Sequence, residues 1–278
     1  FGGVAEYGIT HRWNKNYLTL IRLLLERRAY QYTYHPNMRL GGALGFDTVR
    51  ELGIDHLALC LGAGRPHLAH LPGANARGVH QAADLLMSLN MSAAYKSTNH
   101  LPWPLQLPIL VLGGGLTAID AATEAQAAYI RQVENFYVRY QDSPALMNHP
   151  LAETFLAHAT HIAHERAQAA AESRPPNFIN LCQSWGGVQV VYRQDLEHAP
   201  SFRLNPNEVQ DALAQGILFT PYKNPLSIEK DAHGHVQAMV CQDTQTGDTT
   251  KLAARTILVA FGTTPNWSIV TEDACSLY

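Results

Sequence analysis

Residues 107–125 read LPILVLGGGLTAIDAATEA: an apolar run, three consecutive glycines, then an alanine-rich stretch of good helix formers. The run ILVL has the length and composition of a buried strand, and the alanines propagate a helix directly from the glycines. Gly113, Gly115 and Ala118 stand in GxGxxA spacing, with Gly114, Leu116 and Thr117 between them. The first position suits a tight turn. The second lets a ligand approach the backbone, and the small third residue lets the helix sit close to the strand. The amides and dipole at such a helix mouth favour an anion, so the stretch reads as a cradle for a dinucleotide pyrophosphate. The same residues also make a plain strand-to-helix corner, and the motif alone leaves both readings open.

The rest of the chain bounds what this turn belongs to. With 278 residues, 46 % apolar and 15 % charged, there is material for a large core, and one or two globular, soluble domains are expected. The formal charge of −3 gives no positive field to gather nucleic acid or an anionic membrane, and neither is an expected partner. Cys60, Cys182, Cys241 and Cys275 form no CxxC pair and are expected to be buried, reduced thiols. The sequence has neither a long apolar span nor a signal-peptide start, so a cytoplasmic location is expected. The opening FGGVAEYGIT suggests a fold already under way, as in a piece of something longer.

Elements alternate along the chain. Residues 16–28 predict an amphipathic helix packed on something larger, AYQYTYHP predicts a strand ended by Pro36, and IDHLALCLGAG (54–64) a buried strand. RPHLAHLPGANARG predicts loop, GVHQAADLLMSLN a short helix, and LPWPLQLP (101–108) an extended linker at which we place a domain boundary. Beyond the glycines the helix continues through AATEAQAAYIRQVENFYVRY, and a second helical block covers 150–173. Then follow a strand at 187–193, a helix at 205–216 capped by Asn205 or Asn207 and stopped by Gly216, and a strand at ILF. Hairpin turns come at His233-Gly234-His235 and Thr246-Gly247-Asp248, and TILVAFG supplies the last strand. Strands alternating with helices predict an α/β, Rossmann-like parallel sheet with flanking helices.

A pocket for a ribose diol normally presents an acidic side chain at the end of the next strand, about 20 residues beyond the glycines. Here VQVVYR arrives only after two helical blocks and ends in Tyr192-Arg193. A cation there matches a 2′-phosphate, which favours NADP(H) while leaving NAD(H) possible, or else Arg193 is a solvated strand-end residue.

Five stretches in one order resemble the FAD-dependent pyridine nucleotide oxidoreductases of the glutamate synthase small subunit type. Residues 2–9, GGVAEYGI, resemble GG-x-L-x-YGIP, and HLALCLGAG…PGANARGVHQAADLL (56–86) is similar to a D-x-V-x-x-A-T-G-A…P-G…G-V segment. VLGGGLTAIDAA (111–122) resembles IGGGNTAMDAA, VQVVYRQ (188–194) resembles VTIVYRR, and TILVAFGTTPN (256–266) resembles VI-x-AIG-x-x-P-N. The resemblance implies a partial FAD-domain segment over 1–100, an NAD(P)H-binding domain over 101–262 with a helical insert at about 126–185, and a return segment over 263–278. By the same resemblance Gly113, Gly114, Gly115, Leu116, Thr117, Ala118, Tyr192 and Arg193 hold the nicotinamide dinucleotide, and Gly2, Gly3, Tyr7, Gly62 and Gly262 serve the cofactor sites more weakly. It implies that NADPH passes hydride to FAD in the intact protein, and that an electron-accepting subunit or domain lies downstream. The family's first glycine fingerprint is absent, so this chain alone is expected to hold flavin poorly.

Three departures from that pattern bear on specificity. Leu116 stands in place of Asn, Leu61 in place of Thr, and Gln194 in place of a second Arg. The insert has no counterpart in the resemblance and reads as a dimer face, a docking surface or a lid. His158, His161 and His164 with Glu165 offer metal-ligand residue types on one helix, although their spacing drifts around it and surface histidines are the plainer reading. Asp120 is either structural or turned toward the flavin. The alternative function is a non-catalytic Rossmann-like module whose insert docks a partner.

Overall fold

The computed structural model describes residues 18–94, 96, 99, 101–143, 147–265 and 267–272. Gly2, Gly3, Tyr7 and Cys275 lie outside the described residues. Helix α1 (Leu18–Glu26) forms where its apolar spacing predicts, with Leu20, Leu23 and Leu24 exposed rather than packed.

Two expected strands are absent. AYQYTYHP forms a single 3₁₀ turn at Ala29–Gln31 followed by loop, with Tyr30 83 % exposed. IDHLALCLGAG has no strand before residue 65, and Leu57, Leu59 and Leu61 are 44 %, 47 % and 51 % exposed. Both have strand-like composition. However, a strand is stable only where neighbours take its backbone hydrogen bonds and cover its faces, and no described strand pairs with either segment. Between them α2 (Phe46–Glu51) buries Phe46 and Val49.

From residue 65 the chain builds its sheets. β1 (Arg65–Pro66) leads to β2 (Val79–Gln81), helix α3 (Ala82–Met91), β3 (Ile109–Leu112) and the long α4 (Leu116–Asp142). Then come α5 (Ala152–Ala171), α6 (Ile179–Ser184), β4 (Val188–Val191), α7 (Pro200–Leu204), α8 (Pro206–Ala214) and β5 (Leu218–Thr220). β6 (Lys223–Lys230), β7 (Val236–Asp243) and β8 (Thr249–Ala253) precede β9 (Thr256–Val259), β10 (Thr263–Thr264) and α9 (Ser268–Glu272). Five strands form one parallel sheet in the order β2-β9-β3-β4-β5, and β6-β7-β8 form an antiparallel meander over the two expected turns. β1 pairs with β10.

The three central strands β9, β3 and β4 are buried on both faces, which is why they read as largely apolar runs. Along β3, Ile109 and Val111 join the core beneath the helices, while Leu110 and Leu112 join the core under the meander. Each is fully buried, a contribution of roughly 1.5–3 kcal/mol per side chain.

The stretch 101–108 is irregular, with bends at 102–103 and 107–108, and it is packed into the protein. Leu105 is buried, its backbone N–H and C=O both bond the side chain of Gln132 at 2.9 Å, and Trp103 stacks on His80 at 3.8 Å. β2 and α3 precede residue 101, yet β2 pairs with β9 in the main sheet. The helical insert is equally continuous with that core. Tyr129 of α4 is buried against Phe155 of α5, its hydroxyl bonds His158 Nδ1 at 2.7 Å, and His158 stacks on Trp185 at 3.8 Å.

Candidate functional site

The glycine turn closes β3 onto α4, and each glycine has a different reason to be there. Gly113 has φ +143°, and a Cβ on it would come within 2.2 Å of the Ala260 carbonyl oxygen at the end of β9. A Cβ on Gly114 would lie 2.6 Å from the ring of Tyr192, which follows β4. Gly115 is the N-cap of α4, has φ −89°, and would place a Cβ in open space. So Gly113 and Gly114 are demanded by the protein's own packing, whereas none of the described residues requires a glycine at 115.

Gly115 has no side chain with which to cap α4, and its carbonyl accepts the Ala118 N–H at 3.0 Å, which leaves the amides before Ala118 without an intrahelical partner. Leu116 and Thr117 open the helix half-buried, and Ala118 is fully buried in the core under it. That small third position does the packing task expected of it.

Gly113, Gly114, Gly115 and Thr117 form one side of a cleft of about 590 Å³ that Tyr192, Arg193 and Gly262 also line. The remaining wall comes from residues that the sequence reading passed over: Lys223, Asn224 and Pro225 at the start of β6, with Leu71, Pro200 and Phe261. Nothing in the local pattern of YKNP separates a cleft residue from an ordinary hairpin strand. Its place follows from tertiary structure, where the Lys223 N–H donates to the Tyr192 carbonyl at 3.0 Å. Thr244 Oγ1 likewise donates to the Arg193 carbonyl at 3.0 Å, which fixes that backbone while the Arg193 side chain stays exposed. Among the described residues lining the cleft, Arg193 and Lys223 are the charged ones, and neither Asp nor Glu is present. Lys223 is paired with Asp243 Oδ2 at 2.6 Å, whereas the exposed Arg193 has no ion pair among the described residues and carries the positive charge of the cleft.

Gly62 lies in the exposed stretch before β1 and does not line this cleft. The histidines expected as metal-ligand candidates are not drawn together: His158 is taken by Tyr129 and Trp185, and Glu165 by Arg174 at 2.7 Å and the Asn177 N–H at 2.6 Å. No cluster of metal-ligating side chains occurs among the described residues. Asp120 is buried on α4. Cys182 and Cys241 are buried, and burial pushes each thiol up to about 11. Cys60 is exposed, contrary to the buried position expected of it, because its segment has no covering strand.

A larger groove of about 930 Å³ runs between α4, the α5–α6 connection and the end of α8. Much of its charge is internally matched, Arg166 with Glu134 and Arg174 with Glu165.

No protein-family model matches the chain. It is 37 % identical over 240 residues to an uncharacterized protein of Rickettsia prowazekii (strain Madrid E), a match that covers 86 % of this chain and 33 % of that protein. The chain thus spans about a third of the length of the curated relative it matches. Among solved structures it is similar to FprA, a Mycobacterium tuberculosis oxidoreductase whose structure revealed a covalent modification of NADP+. There the TM-score is 0.51 at 12 % identity, covering 94 % of this chain and 61 % of that one. The fold is the Rossmann-like oxidoreductase fold. A 2-naphthoyl-CoA reductase in complex with 2-naphthoyl-CoA is also similar, with a TM-score of 0.55 at 11 % identity, covering 98 % of this chain and 29 % of the reductase. No helix among the described residues is long and apolar enough to cross a membrane.

Proposed function

We propose that the cleft at the mouth of α4 binds a nicotinamide dinucleotide, NADPH in preference to NADH, and that the chain is the nucleotide-binding portion of a flavoprotein oxidoreductase. The observation that carries this reading is Gly115. It sits at the mouth of α4 with no side chain to cap it, on the wall of a cleft whose described lining holds no Asp or Glu, where a Cβ would meet no atom of the described residues. Such a cradle fits a pyrophosphate, whose charge the amides and the positive end of α4 would stabilise. Tyr192 and Arg193 would then flank the adenosine, and Arg193 would pair with a 2′-phosphate.

When bound, the dinucleotide supplies hydride, and the chain's own groups bind and orient it; no acid or base is demanded of them. The likeness to FprA, whose solved structure carried a modified NADP+, supports this reading at the level of fold. Transfer to FAD in the intact protein, glutamate synthase small-subunit kinship and a downstream electron acceptor are proposed from the sequence resemblance. Because β2 lies in the main sheet, we place the start of the nucleotide-binding domain near residue 78, with the preceding residues as the flavin-domain segment. We place the protein in the cytoplasm, where NADPH and the free thiols Cys182 and Cys241 are maintained.

The test is calorimetric titration with NADPH and NADH on the wild type and on Gly115→Ala. Wild-type binding, weakened at least about tenfold in a variant of unchanged fold, is the expected result, since charge-assisted contacts to several amides depend on close approach. Failure of the wild type to bind either nucleotide overturns the reading.

A further inference from the structure

We propose that Lys223 is the second cation of this cleft, acting beside Arg193 on the 2′-phosphate of the nucleotide and so setting its preference for NADPH over NADH. The inference rests on the nucleotide reading above and assigns a specificity-determining residue to it. Where the resembled reductases carry a second arginine, this chain has Gln194, whose Oε1 accepts a hydrogen bond from the Tyr192 hydroxyl at 3.1 Å. Position 194 therefore contributes no charge. Lys223 restores one from another strand.

Three observations place Lys223 for that task. Its backbone N–H donates to the Tyr192 carbonyl at 3.0 Å, which ties it to the peptide bond joining Tyr192 to Arg193. Lys223 lines the same cleft as Arg193, and its side chain is largely buried, 17 % exposed, so the charge is shielded from bulk solvent far more than a surface lysine's is. Finally, it is held in place: Nζ donates to Asp243 Oδ2 at 2.6 Å, while the N–H groups of Gln245 and Thr246 pin Oδ1 at 2.9 and 3.0 Å. Asp243 is thereby held ionised beside the lysine, as the charge with which a phosphate would compete. An ammonium has three donors, so two remain beyond the one given to Asp243. Asp195, a further carboxylate near this loop, is engaged by the N–H and ring of His198 at 2.8 and 2.6 Å, and Glu197 also lies near Tyr222. A dianionic 2′-phosphate would meet Arg193 and Lys223, whereas a ribose hydroxyl would gain little from either.

The experiment compares NADPH and NADH affinities by calorimetry for the wild type, Lys223→Gln, Lys223→Arg and Asp243→Asn, with thermal melts as fold controls. Lys223→Gln is expected to weaken NADPH about tenfold while NADH changes less than about twofold, and Lys223→Arg to keep the preference. Asp243→Asn, which retains a carbonyl oxygen for the loop amides but removes the competing charge, is expected to tighten NADPH. Should Lys223→Gln melt early, Lys223→Arg and Asp243→Asn decide the matter. Equal loss of both nucleotides, or none, in Lys223→Gln, or no gain for NADPH in Asp243→Asn, overturns the role of Lys223 and leaves the nucleotide reading standing. A wild type that binds neither nucleotide overturns that reading itself.

Discussion

The ring of Tyr192 lies directly over Gly114, so close that a Cβ at 114 would meet its Cε2 at 2.6 Å. The contact joins the turn after β3 to the end of β4 and shapes the cleft between them. The Gly114 carbonyl also accepts the Ser201 N–H at 2.8 Å, which ties the turn to α7. Gly114→Ala is therefore expected to destabilise the fold by about 1–3 kcal/mol, the usual range for overpacking. Adding Tyr192→Ala should recover part of that loss in denaturant unfolding. Purely additive effects would show that the ring and the turn are uncoupled.

Gly113 and Gly115 differ in what the protein's own packing asks of them. At Gly113 an alanine would combine a positive φ with a backbone clash at Ala260, and a loss of at least about 2 kcal/mol is expected. At Gly115 the backbone is ordinary and the space open, so alanine should change stability by less than about 1 kcal/mol, the scale of an N-cap exchange. Thermal melts of the two variants check this order.

Burial, and secondarily His161, lower His158 to about 4, so the ring is neutral at pH 7. The unfolded chain takes up this proton below about 6.5 while the native state resists until near 4, so stability through this group is complete above pH 6.5 and falls as pH drops toward 4. His158→Gln should flatten that part of the stability–pH curve relative to the wild type. Parallel curves would exclude the assignment.

Thiol accessibility follows burial. An alkylating reagent should modify the Cys60 peptide in the native protein and reach the Cys182 and Cys241 peptides only after unfolding, because both are enclosed and their thiols are held protonated. Peptide mapping by mass spectrometry reads all three positions.

Where local chemistry sufficed, the sequence was legible. ILVL became a strand buried on both faces, the alanine-rich run became α4, and the turns at Gly234 and Gly247 joined the meander strands. α8 stops at Gly216, as expected, although Asn205 spends its side chain on Glu208 rather than on helix amides. AYQYTYHP and IDHLALCLGAG failed as strands because composition records only a preference, and a strand exists only with partners for its backbone groups. The 101–108 stretch read as a linker because prolines exclude a helix, yet Leu105 and Trp103 are packed into the body of the protein.

The sequence by itself determined the parallel α/β sheet, the glycine corner and the candidate cation at Arg193, since each follows from side-chain period or backbone permissiveness within a few neighbouring residues. Tertiary structure alone decided that Lys223 and Asn224 share a cleft with Gly113, and that Tyr129 and His158 meet across two helices. Those pairings are distant along the chain, and their proximity is set by the closure of the sheet and the packing of its layers, which no local pattern encodes.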